Sequence, residues 1–153
     1  MKNTIKLIIA LLLILFLSSC ISDSNYNIDE LIKELNEKYD YNLQTEDFSI
    51  FEDEPYKYNT IIETNILITL YCNANNEIEQ CTITSEKNTE SFNRISKHIT
   101  EILTKKSNYK DQNNSEYNGW KIITIENKIG KTILINKSDN KIHKTNTQKE
   151  ITK

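Results

Sequence analysis

Two glycines and one proline in 153 residues leave the chain with few backbone breakers. Loops that cradle phosphate need glycine where the backbone approaches the anion, and neither Gly119 nor Gly130 stands in such a motif. Histidine is equally scarce. His98 and His143 lie far from any HExxH pattern, serine elbow or paired carboxylates. Three cysteines are present, and Cys72 and Cys81 are separated by eight residues. That spacing fits neither a redox CxxC pair nor a zinc knuckle. No cofactor and no metal ligand is therefore expected, and nothing in the sequence marks the chain as an enzyme. Glu52, Asp53 and Glu54 are contiguous acids with no glycine turn after them. Calcium loops alternate their ligands around such a turn, so this run reads as a solvated loop.

Long hydrophobic runs are also missing, with one exception. Leu7 to Leu17 is apolar throughout, eleven residues against the ~20 that a membrane span requires. Lys2 and Lys6 precede it with no acid between, and Leu17-Ser18-Ser19-Cys20 closes it. A basic start, a short apolar segment and small residues before a break point are the parts of an export signal. With Cys20 at the break point, the segment resembles bacterial lipoprotein precursors. The resemblance covers residues 1–20 only. It implies that Cys20 receives a diacylglyceryl group, that residues 1–19 are removed, and that further acylation such as palmitate completes the anchor. Two acyl chains hold a protein on a membrane where one is marginal. The expected location is the extracytoplasmic face of the cell membrane, with the membrane itself as first partner through the lipid on Cys20.

Cleavage would leave 134 residues, enough for one domain. Those residues hold 17 bases and 22 acids, a net charge of −5. Nucleic acid is not an expected partner, because it calls for a concentrated basic face. The charge is polarised. Residues 20–63 carry twelve acids and three lysines, whereas residues 119–153 carry three acids and eight lysines.

Along the chain, residues 20–26 read as a tether, 27–136 as a single domain and 137–153 as a polar, mobile tail. Asn27 with Glu30 forms a capping-box signal, and Ile28, Leu31, Ile32, Leu35 and Tyr39 recur at helical spacing. The first helix is placed at 28–39. Phe48 and Ile50 suggest a short strand facing the core. Glu52 to Pro55 reads as a turn and Thr60 to Tyr71 as one long strand. Asn73 to Asn76 is turn chemistry, and Glu77 to Thr84 returns as a second strand. Ile66, Ile68, Leu70 and Cys72 then share one face, as do Cys81 and Ile83. A second helix at 89–106 carries Phe92, Ile95, Ile99, Ile102 and Leu103 on one stripe. Residues 107–118 read as an exposed loop, with Tyr109 and Tyr117 on it. Trp120 to Ile125 and Lys131 to Ile135 form a last hairpin around Asn127 and Gly130.

The order α-β-β-β-α-β-β, with strands in hairpins, points to an α+β fold. The expectation is an antiparallel sheet of about five strands with two amphipathic helices on one face. In element order this is similar to secretion-chaperone-like domains. Two functional readings follow. The first is a non-catalytic binding or accessory module at the cell envelope, meeting a protein or wall polymer. Leu67, Thr69 and Tyr71 would line its second sheet face. The other is a small envelope hydrolase using His98 with Glu101. Cys72 and Cys81 either bridge or remain thiols, depending on the register of the hairpin that carries them.

Overall fold

A computed structural model of the chain describes residues 25–51, 53–63, 65–87, 89–110, 114–128 and 130–138. The export segment, Cys20, His143 and the tail from residue 139 lie outside the described residues. Helix α1 spans Ile28–Tyr39 and is followed by a 3₁₀ turn at Thr45–Asp47. Four strands come next: β1 Ser49–Phe51, β2 Glu54–Ile62, β3 Ile66–Cys72 and β4 Ile78–Ser85. Helix α2 spans Glu90–Thr104. Three further strands follow: β5 Ser115–Tyr117, β6 Trp120–Glu126 and β7 Lys131–Lys137.

Both helices begin where side chains replace missing backbone partners. Asn27 Oδ1 accepts from the Glu30 amide while Glu30 Oε2 accepts from the Asn27 amide, which completes the capping box. Thr89 Oγ1 accepts from the Phe92 amide at the start of α2. Asp40 and Lys105 end the helices in the left-handed region. Chain contacts to the domain are already made at Asn25 and Tyr26. Asn25 donates to Glu77, and the Tyr26 carbonyl accepts from the Ile78 amide.

The strands form one antiparallel sheet of seven in the order β1-β2-β3-β4-β7-β6-β5. The α+β class with an antiparallel sheet is therefore observed, but the strand count and order differ from expectation. The stretch read as one strand from Thr60 to Tyr71 is broken between Ile62 and Ile66, where Glu63 takes a positive φ of 48°. The acidic run read as a turn is in part strand, because Glu54 and Pro55 open β2. Ile50 is exposed rather than buried, whereas Phe48 does enter the core. The supposed loop at 107–118 contains β5, and Tyr109 within it is buried edge-on to Tyr117.

Register determines what the sheet shows on each face. Ile68 stands opposite Ile83, Leu70 opposite Cys81, Cys81 opposite Ile135 and Ile122 opposite Ile135. These residues make one apolar cluster with Leu31, Leu35, Phe92, Ile95 and Ile99 of the helices. Each such side chain contributes roughly 1.5–3 kcal/mol by leaving water. Both helices therefore cover this face. The other face carries three cross-strand rows. One runs Lys57, Tyr71, Gln80, Asn136, Lys121, Glu116. The next runs Ser49, Asn59, Thr69, Thr82, Leu134, Ile123, and the third Ile61, Leu67, Thr84, Thr132, Ile125.

Candidate functional site

Two places gather the residues with chemical potential. The first lies between the helices. Tyr39, at the end of α1, stacks on His98 of α2 with ring centroids 3.7 Å apart and planes 8° from parallel. The Tyr41 hydroxyl meets His98 Nδ1 at 3.2 Å. Arg94 reaches both Tyr41 and Glu63, the latter at 2.5 Å. Burial pushes the His98 pKa down, opposed by the charge of Glu101 and reinforced by Arg94 and Lys97.

Glu101 is the acid a His98 hydrolase would use. Its Oε2 accepts from the Tyr39 hydroxyl at 3.0 Å, and its Oε1 from the Tyr109 amide at 2.9 Å. Tyr39 is pushed up to about 12, first by burial and then by its bond to Glu101. Both carboxylate oxygens thus fasten α1 and the segment after α2 to the helix. Neither His98 nor Glu101 is set against a serine or cysteine nucleophile in the contacts described. The pair works as a tie between helices.

The cysteines lie in the core. Cys81 stands opposite Leu70, and a bulge at the end of β3 sets Cys72 opposite Ile78. Both are buried free thiols. Burial pushes Cys72 up to about 12, and Cys81 higher still. Thiols held this far from their thiolates make poor nucleophiles and poor metal ligands. Among the described residues no group of three or more His, Cys, Asp or Glu is placed to hold a metal ion.

The second place is a groove of about 570 Å³ at the sheet edge, lined by Leu43, Asp47, Ser49, residues 59–63 and Leu67. Leu67, Thr69 and Tyr71 do share the face turned from the helices. Thr69 and Tyr71 are buried there, so what remains accessible of the three is Leu67, 39% exposed, beside Ile61 at 66%. Asn36 fixes the far wall by bonding both the amide and the carbonyl of Leu43. Asp47 Oδ2 accepts from the Gln44 amide and so holds the 3₁₀ turn. Asn59 Oδ1 is shielded from solvent and has no hydrogen-bond partner. Sequence reasoning found Leu67 by alternation but missed Asp47, Asn59, Ile61 and Glu63. The groove exists only because the chain turns between Ile62 and Ile66, and that turn carries no glycine or proline to announce it.

Comparison with known proteins finds no family model, no curated protein and no solved structure that matches the chain.

Proposed function

We propose that this chain is a lipid-anchored lipoprotein on the extracytoplasmic face of the cell membrane, and that it is a non-catalytic binding or accessory module. Leu17-Ser18-Ser19-Cys20 supports the anchor, since it ends an apolar run too short to span a bilayer. Among the described residues no helix is long and apolar enough to cross a membrane. The observation that carries the binding reading is the edge groove. It joins exposed Ile61 and Leu67 to two carboxylates, Asp47 and Glu63. Apolar contact surrounding a few fixed polar groups is the make-up of a recognition site. The helix-tying bonds of His98 and Glu101 favour this reading over the hydrolase.

The test is site-specific photocrosslinking in the cells that make the protein. A crosslinker at Leu67 is compared with one at Lys33, on the outer side of α1. The expected result is one reproducible protein or wall-polymer partner captured at Leu67, not at Lys33, and lost in Ile61→Lys. That capture should survive His98→Ala. Turnover of a wall or lipid substrate that disappears in His98→Ala would overturn the reading.

A further inference from the structure

We propose that the edge groove takes an extended, basic polypeptide segment, which adds to β2 as a strand in line with β1. The proposal deepens the binding reading and rests on it. Its basis is a mismatch in length between two strands. β1 pairs with β2 at Ser49 opposite Asn59 and Ile50 opposite Tyr58, and goes no further toward the β2–β3 turn. β2 continues to Ile62, paired with β3 all the way to Ile62 opposite Ile66. Thr60, Ile61 and Ile62 thus have a strand on one side only among the described residues. In an antiparallel sheet, N–H and C=O groups alternate between the two sides of a strand. This short edge therefore still presents backbone donors and acceptors outward, which is the template for strand addition.

The groove wall is suited to the same occupant. The 3₁₀ turn at Thr45–Asp47 stands off the edge and leaves the space open. Ile61 and Leu67 are directly paired and exposed on one face, so the added strand should place apolar side chains on that face. The charged residues of the lining are both acids, Asp47 and Glu63, and one Glu63 oxygen is shared with Arg94. Along the sequence, residues 20–63 carry twelve acids against three lysines. An acidic lining attracts a basic partner and repels an acidic one. A lipid chain or glycan would match neither the backbone edge nor its spacing.

The experiment titrates the full chain with peptides of about eight residues, long enough to cover the open edge. One alternates isoleucine with lysine. A second replaces lysine by glutamate. A third keeps the Ile/Lys sequence but carries N-methyl groups on the backbone amides that would face β2. Amide exchange on β2 reports the site, at those of the Thr60, Ile61 and Ile62 N–H groups that point away from β3. The Ile/Lys peptide should bind and slow exchange at these amides, and the other two should bind at least ~10-fold more weakly. Ile61→Lys, at an exposed position, should cause a similar loss without changing the melting temperature. Asp47→Asn, which keeps an oxygen for the Gln44 amide, should weaken binding several-fold and reduce its salt dependence. Equal binding of the glutamate or N-methylated peptide, protection elsewhere on the chain, or no binding of any peptide would overturn the proposal. If the peptides fail but Leu67 still captures its partner, the strand-addition proposal alone falls. If the Leu67 capture fails as well, the binding reading falls with it.

Discussion

The ring of Tyr39 lies on the ring of His98 at 3.7 Å, nearly parallel, and this stack closes one helix against the other. It sits in surroundings that favour a neutral imidazole. The ring is half-buried with the Tyr41 hydroxyl at Nδ1, and Arg94 and Lys97 oppose a positive charge, while Glu101 favours one. Burial above all, with Arg94 and Lys97, holds the folded-state pKa of His98 below the ordinary value of about 6.5. Its contribution to stability is present above that ordinary value and is lost as pH falls through the folded pKa, because the unfolded chain takes up the proton first. Melting curves between about pH 7.5 and 5 should show a steeper loss for the natural chain than for His98→Gln. Parallel curves for the two would remove His98 from the acid response.

Cys72 and Cys81 belong to one hairpin but are not directly opposite, since the bulge moves Cys72 against Ile78. Both are expected as free thiols in the purified protein. Alkylation without denaturant should be slow at both positions, because burial suppresses the thiolate, and complete after unfolding. Intact mass before and after reductant checks the same point. A two-dalton gain on reduction, accompanied by loss of alkylation in the denatured chain, would show a bridge instead.

What the sequence made legible was the part governed by strong local periodicity. Ile28–Tyr39 and Glu90–Thr104 were marked by apolar stripes, and the first also by its cap at Asn27. The β3–β4 hairpin was marked by alternation and by Asn73, whose Oδ1 accepts from the amides of Asn75 and Glu77. Two turns escaped for opposite reasons. Between Ile62 and Ile66 the chain reverses through Glu63 in the left-handed region, a conformation that glutamate does not advertise. At Asn118-Gly119 the signal was present, an Asn-Gly pair with both residues at positive φ closing Tyr117 against Trp120. The polar run before it hid that hairpin, because Ser115, Glu116 and Tyr117 form an edge strand without apolar alternation. The candidate groove depends on the first of these turns, so it became visible only with the register of β1, β2 and β3 in hand.

The two glycines should respond differently to the same substitution. Gly119 has φ +77° with nothing within 4 Å of an added Cβ, so Gly119→Ala meets only a backbone penalty of roughly 1 kcal/mol. At Gly130 an added Cβ would lie 2.3 Å from the Ser85 carbonyl oxygen. Gly130 also closes the β6–β7 turn by donating to Asn127 Oδ1 and accepting from the Asn127 amide. Gly130→Ala must push the turn away from β4, at a cost of roughly 2–4 kcal/mol. Denaturant titration of the two variants should rank Gly130→Ala as clearly the less stable. Equal midpoints would contradict the close approach of the turn to Ser85.

The anchor is the last point to test, and its chemistry is specific to one atom. If the thiol of Cys20 carries the diacylglyceryl group, Cys20→Ala removes the acceptor and Cys20→Ser replaces it by an oxygen that the transfer does not use. Both variants should fail to incorporate labelled fatty acid and should retain residues 1–19, whereas the natural chain should be labelled and about two kilodaltons lighter than its precursor. Buried Cys72 and Cys81 serve as an internal control, because neither offers an exposed thiol for acylation. The lipid also predicts a partition. With two acyl chains on Cys20 the protein should sediment with membranes and stay there in high salt, since the attachment is apolar rather than ionic. Release by salt would point instead to the eight lysines of residues 119–153 as the tether, lying on anionic lipid. Fatty-acid labelling of the Cys20→Ala chain would refute lipidation at this residue outright.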